Sequence, residues 1–277
     1  MNHFSTIARV IIPFFLHSIF AQPEPIVGAR FSACGDANVS MIDPWSFQLN
    51  PGALASLNKT TLSATYQSRF LLKEMQSQGF VYIQPIHRGV LSFGTTLQGN
   101  QLLRIFRGGV GYSMKLSDKF SAGVQLNYNR IALAENYGKH TMITAECGVY
   151  VTLTENWRLG ASVFNLGRAK LADFQDERLA TRFRLGSSMS LSNVVLLCLE
   201  TEKDIEHPLR IKAGIEYLPN TSLSIRAGCK LNPLEISAGF GCSWSTIQLD
   251  FATQYNQFLG WTPQMTFVFE SKPKHHE

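Results

Sequence analysis

From about residue 60 onward the chain alternates, and that alternation limits what it can become. In "LRIKAGIEYLPNTSLSIRAG" (209–228), Leu209, Ile211, Ala213, Ile215 and Tyr217 take every second position, with Arg210, Lys212, Gly214 and Glu216 between them. After a break at "LPNTS", Leu223, Ile225 and Ala227 alternate with Ser224, Arg226 and Gly228. Successive side chains of a strand point to opposite faces, so the stretch reads as a hairpin with one apolar and one charged face. The rhythm recurs over 60–70, 79–86, 89–98, 105–116, 119–130, 141–153, 156–167, 181–191, 194–203, 208–217, 222–231, 233–243, 246–255 and 260–270. That makes about fourteen strands and no convincing amphipathic helix, with the alternation most blurred in 194–203, "VVLLCLETEK".

The connections alternate as well. "IHRG", "LSDK", "TEN", "SN", "LPNTS" and "SWS" are tight, whereas "LLKEMQSQ", "QGNQLLRI", "IALAENYGKH", "GRAKLADFQDERLA", "KDIEHP" and "YNQFLG" are mostly longer. Short turns at one end and longer loops at the other are the organisation of an outer-membrane barrel, and nothing in a soluble sandwich requires it. The tight turns and both termini are expected on the periplasmic side, with loops 71–78, 131–140 and 168–180 outside.

Composition decides which face is inside. Charged residues are 16% of the chain, against about 25% in soluble domains, and the polar strand faces carry mainly Gly, Ser, Thr, Asn and Gln. That suits a confined lumen. Phe120, Tyr128, Trp157, Tyr217, Trp244, Tyr255 and Trp261 lie near the ends of the apolar faces, as an interfacial girdle requires. Backbone groups cannot be left bare in lipid, so the strands must close into a ring. The fold class expected is all-β: a transmembrane antiparallel barrel of about 14 strands over 59–271, apolar side out, followed by a polar tail, 272–277.

"MNHFSTIARVIIPFFLHSIFAQPEP" places Arg9 before a short apolar run that ends at Ala21. This reads as a secretory signal peptide, 1–21, cleaved near Ala21; its run of about 12 residues is too short to span a bilayer. Cys34, Cys147, Cys198, Cys229 and Cys242 form neither a CxxC nor a Cys/His metal spacing, and Cys147, Cys229 and Cys242 fall on apolar faces, where they act as small hydrophobes.

Residues 22–58 lie outside the strand rhythm. Asn50 before Pro51 favours a turn or a helix start. A ring of about fourteen strands is too wide to be filled by its own side chains, so it is either plugged or an open pore; this segment is expected to be the plug, with Arg30 or Asp43 paired to inward charges. Gly28-Ala29-Arg30, Gly35, Asp43 and "NPGAL" from Asn50 and Pro51 resemble the start of the PorV/PorQ family of Bacteroidetes outer-membrane proteins, itself similar to the FadL fatty-acid transporters. The family's usual Asn-Pro-Ala-Gly-Leu is here Asn50-Pro51-Gly52-Ala53-Leu54. "DKFSAGVQLNY", "FNLGRAKLADFQDER" and "KAGIEY" extend the resemblance over nearly the whole mature chain. It implies an N-terminal hatch and a non-enzymatic barrel accessory to type IX secretion, with secretion proteins or their cargo as partners. The alternative is a FadL-like channel for a hydrophobic or small amphipathic molecule. Either way outer-membrane lipid is the surrounding partner.

Arg182, Arg184, Arg210, Lys212, Arg226 and Lys230 point inward, and so do Glu200, Glu216, Glu235 and Asp250, a balanced set that reads as a salt-bridge network between barrel and plug. The net charge of +5 carries no phosphate loop with it, and nucleic acid, metal and cofactor binding have no motif. No Ser or Asp is evidently placed beside His87, His140 or His207 on a lumen face, which leaves a hydrolase without a catalytic pair. Few apolar residues face the lumen; Phe164, Leu196 and Tyr150 are the candidates. Counting across the hairpin predicts Gly214 opposite Arg226, Gly239 flanking it, and an Arg226–Asp250 ion pair lying over Gly239.

Overall fold

A computed structural model of the chain describes residues 24–133, 138–170, 178–205 and 207–271. The expected signal peptide, the C-terminal tail and the middle of the 168–180 loop lie outside the described residues.

Fourteen strands follow in chain order: β1 (Thr61–Ser68), β2 (Gln76–Ile86), β3 (Gly89–Gly99), β4 (Leu103–Lys115), β5 (Phe120–Leu133), β6 (Lys139–Thr152), β7 (Trp157–Phe164), β8 (Arg182–Ser192), β9 (Val195–Asp204), β10 (Arg210–Asn220), β11 (Leu223–Leu231), β12 (Glu235–Trp244), β13 (Ile247–Asn256) and β14 (Gly260–Glu270). Each pairs antiparallel with its sequence neighbours, and β1 pairs with β14, so the sheet closes on itself. The blurred segment is a full strand, β9, buried on its even positions. Closure leaves no edge with unpaired backbone groups, which is the condition for crossing lipid with strands.

The outward face is apolar throughout its middle. Val110, Val124, Leu126, Ile143, Leu185 and Leu199 are all more than half exposed on it. No water-facing surface sustains so continuous an apolar belt, so the strands span a membrane. Trp157 and Trp244 lie at the turn end and Trp261 at the loop end, with Trp261 packed on Tyr255 at 4.7 Å between centroids.

The loop end and the turn end match the sequence pattern, with strands running further than expected. β5 reaches Leu133 and β6 begins at Lys139, so both ends of 131–140 are wall, and 134–137 lie outside the described residues. Pro263 sits one residue beyond the last β1–β14 pair, Gln67 with Gln264, so its missing N–H costs that ladder nothing.

Two expectations are corrected. In the 209–228 hairpin Gly214 faces Gly228, and Arg226 faces Glu216. The observed pairing lies two residues from the simple count; an even offset keeps every side chain on its face, so the alternation could not reveal it. The second concerns the N-terminal end. Glu24 lies at the loop end, bonded to Arg69 in the β1–β2 connection at 3.0 Å and to Arg210 at the start of β10 at 2.9 Å. The chain then descends through the lumen before β1 begins at the turn end.

Candidate functional site

Residues 26–57 fill the lumen as one short α-helix, α1 (Ala29–Ala33), and two 3₁₀ helices, Pro44–Gln48 and Pro51–Ser56. The 3₁₀ helices begin where the sequence signals a start. The Asp43 carboxylate accepts from the Trp45 N–H at 2.9 Å, the Asn50 side-chain oxygen accepts from the Gly52 N–H at 3.0 Å, and a proline follows each cap. The segment carries its own apolar cluster, Phe31, Trp45, Phe47, Leu49 and Leu54, which packs on Val81, Ile83 and Val90 from the inward faces of β2 and β3. Those three wall residues were not anticipated as lumen-facing.

Many of the wall glycines are explained by contact with this segment. A Cβ on Gly94 would enter the Phe47 ring, one on Gly148 the Asn50 side chain, and one on Gly214 or Gly228 the backbone at Cys34. What reads in sequence as a sparse, hydrated inner face is a surface cut to fit the plug. Gly28 leaves room for the Trp45 ring, and Gly35 has φ +66° at a place where a Cβ would strike the backbone of Ala213 and Cys229. Ala29 is fully buried and its N–H donates to Thr266 Oγ1 at 2.7 Å. Asn50 donates to Val39 O at 2.6 Å and Val149 O at 2.9 Å, and Pro51 O accepts from Ser113 at 2.6 Å.

Three ionic clusters tie the plug to β8–β13. In the first, Arg30 binds Glu216 through Nη2 at 2.7 Å and Nε at 3.0 Å and reaches Asp43 at 3.4 Å. Arg226 Nε donates at 2.7 Å to Glu216 Oε1, the oxygen that Arg30 Nε also reaches, and Arg226 Nη1 donates to Asp250 at 2.6 Å. The chain of charges is therefore Asp43–Arg30–Glu216–Arg226–Asp250, with Gly241, not Gly239, as the clearing: a Cβ there would meet both Asp250 and Arg226. Burial pushes the Asp43 carboxyl up to about 6, against the opposing pull of Arg30.

In the second cluster Lys212 joins Glu200 at 2.9 Å and Glu202 at 3.0 Å, and Arg184 binds Glu202 at 2.8 Å. The other oxygen of Glu200 accepts the backbone N–H of both Asn38 and Val39 at 2.7 Å, so a wall carboxylate grips the plug backbone. The third cluster closes the loop end. Lys230 meets Glu235 at 2.8 Å, Asp36 at 3.5 Å and Glu24 at 3.6 Å, while Arg210 also reaches Glu202 at 3.4 Å. Lys230, with Arg69 and Arg210, holds the Glu24 carboxyl far below the usual carboxylate range. Arg30, Asp43, Arg210, Lys212, Glu216, Arg226, Lys230 and Glu235 thus sit in contact with the plug or one residue removed from it, and Asp250 joins through Arg226 and Glu216. Glu24, Asp36 and Glu202 were missed. The even phase of β9 could have found Glu202; no strand rhythm extends to the other two.

The opposite side of the loop end is different. Beneath the loops, Ile105, Ile131, Met142, Phe164 and Leu179 line a cavity of about 50 Å³ floored by Glu24 and Pro25. Arg107 and Arg182 lie over the Phe164 ring at 5.2 and 5.7 Å, and Arg107 is ion-paired to Glu146. Of the lumen apolar candidates, Phe164 lines this cavity, Tyr150 is buried, and Leu196 packs against the plug cluster. His207 has an acidic neighbour that the sequence reading overlooked: its Nδ1 lies 2.9 Å from Asp204, which also accepts the His207 backbone N–H at 2.6 Å. This is a loop cap. No group of three or more metal-ligating side chains occurs among the described residues.

No family model matches the chain, and no curated protein matches it. Solved structures do. The CymD monoaromatic hydrocarbon channel superposes with a TM-score of 0.66 at 13% identity, over 90% of this chain and 98% of that one. The Ralstonia pickettii toluene transporter TbuX gives 0.63 at 13% identity, over 90% and 98%, and a Pseudomonas aeruginosa FadL homologue gives 0.59 at 12%, over 89% and 97%. The chain has the FadL-like barrel fold.

Proposed function

We propose that the protein is an outer-membrane conduit for a small hydrophobic molecule, and that the plug must yield for passage. The observation that carries this is the cavity beneath the loops: apolar side chains of β4–β7 line it, with Arg107 and Arg182 lying over the Phe164 ring, in a lumen whose facing wall is charged. Its floor is Glu24–Pro25, the first described residues of the chain, held by ion pairs to Arg69, Arg210 and Lys230. Such a floor can be released without unfolding the wall. At about 50 Å³ the closed pocket is smaller than ligand sites usually are, so a ligand enters only as this segment shifts. The structural neighbours include channels for hydrocarbons, which supports the same substrate class. Nothing in the site favours the secretion role that the PorV/PorQ resemblance suggests.

The test is uptake of radiolabelled toluene by cells with and without the chain. Loss should slow uptake; the native chain should restore it, and Met142→Trp, which fills the pocket, should not. Unchanged uptake in the deletion strain would sink the proposal. If the surface-protein profile changed instead, the secretion reading would replace it.

A further inference from the structure

The strand faces sort charge with one exception. Every acidic residue of the fourteen strands points inward, from Glu146 on β6 to Glu270 on β14. Four basic residues point outward: Arg104, Arg130, Lys139 and Lys203. All four stand at the loop ends of β4, β5, β6 and β9, all are exposed, and the rest of the outer wall carries no charge on its strands. Arg104, Arg130 and Lys139 make no ion pair with a described residue, and among the described residues the Lys203 ammonium donates to the His207 carbonyl.

The same sector has a groove. Leu185 of β8 lies between Ala161 of β7 and Thr201 of β9, and Phe183 lies beside Lys203 in the adjacent row. Phe183 and Leu185 stand out from the wall, while Cys147, Ala161 and Thr201 are too short to reach their height. The mismatch leaves a cleft of about 360 Å³ along the outside of β6–β9, with Lys203 at its loop-side end. A slot of this kind takes an acyl chain, and a cation at its mouth takes an anionic headgroup.

From the groove and the one-sided belt of cations together, we infer that the outer wall of β6–β9 seats a phosphorylated acyl lipid of the surrounding leaflet, with a chain in the groove and a phosphate on Lys203. A second copy of the chain is the poorer occupant, because a contact through this sector would bring like charges together. The inference rests on the strands spanning a membrane and is independent of what passes through the lumen.

Native mass spectrometry of the full chain folded in dodecyl maltoside tests it, with bis-phosphorylated lipid A, phosphatidylcholine and inorganic phosphate as separate probes. The native protein should retain lipid A at concentrations where phosphatidylcholine exchanges freely and inorganic phosphate does not bind. Lys203→Gln should weaken retention about fivefold, as expected for one lysine at an anionic surface. Ala161→Trp, which fills the groove, should weaken it roughly tenfold, while Ala238→Trp on the far outer wall should change nothing. Folding of each variant is checked by heat-modified gel mobility, and Ala161→Leu replaces the tryptophan variant if that one fails to fold. Undiminished binding in both groove variants, or equal retention of phosphatidylcholine, would overturn the inference. So would phosphate binding on its own, or a spontaneous Cys147–Cys147 link between two copies.

Discussion

The two sides of the lumen hold the same plug by different chemistry. Toward β2 and β3 the plug offers Trp45, Phe47 and Leu54, and the wall answers with Val81, Ile83 and Val90. Toward β8–β13 it offers Arg30, Asp36 and the backbone N–H groups of Asn38 and Val39, and the wall answers with Glu216, Lys230 and Glu200. Apolar contact is non-directional and rewards area. Buried ion pairs are costly to desolvate and add little net stability, but they penalise any misplacement heavily. One side therefore supplies adhesion and the other supplies position. That division predicts which substitutions matter most.

The largest effect should come from Glu216→Ala. This carboxylate is shared by Arg30 and Arg226, and removing it leaves each guanidinium a single carboxylate, Asp43 for Arg30 and Asp250 for Arg226, at a cost of about 3 kcal/mol. The midpoint of heat-modified gel mobility should fall accordingly; a loss under about 1 kcal/mol would show that water compensates these charges. The adhesive side should forgive more. In Gly94→Ala the new methyl meets the Phe47 ring, which can tilt, so overpacking should cost about 1–3 kcal/mol. Gly167→Ala, with nothing near its Cβ, serves as the control. If Gly94→Ala were the worse of the first two, the comparison would be inverted.

Asp250→Asn and Arg226→Gln form the next test. Arg226 keeps Glu216 when Asp250 is lost, so the coupling between the pair should be on the order of 1 kcal/mol. Strict additivity in the double-mutant cycle would mean that the two charges do not sense each other. The smallest effect is pH dependence. Asp43 is raised in the folded protein from 3.8 to about 6, so the native state binds its proton more tightly than the unfolded chain does. Its contribution lessens stability as pH rises through 6 and ceases to do so as pH falls toward 4. The native barrel should resist heat slightly better at pH 5 than at pH 7.5, by about 1 kcal/mol or less given the partly exposed Arg30 beside it, and Asp43→Asn should remove that difference.

Parity made the fold legible. A period of two fixes which face each residue occupies, so the strand count, the apolar exterior and the inward charges from Arg210 to Asp250 could be read before any partner was known. It does not say which inward residue meets which. The pairing of Arg226 with Glu216 rests on a hairpin register two residues from the simple count, an offset that leaves every face unchanged. Nor does parity give a glycine its reason: Gly94 and Gly148 are small because of Phe47 and Asn50, residues far away in sequence. The plug has no repeat at all, which is why Glu24 and Asp36 went unnoticed and why its starting point at the loop end was unexpected.

That starting point bears on how the molecule is made. The segment enters at one rim and leaves at the other, and its helix is bonded to the last strand: Ala29 to Thr266, Ser32 to Gln264, and Gln264 back to the carbonyl of Val27. Residues synthesised first are thus secured by residues synthesised nearly last. A finished ring offers no simple way to thread the segment through afterwards, so the final seam, β14 against β1, has to shut around an occupant already in place. The strand that completes the circle is therefore also one that makes bonds to the segment at its centre.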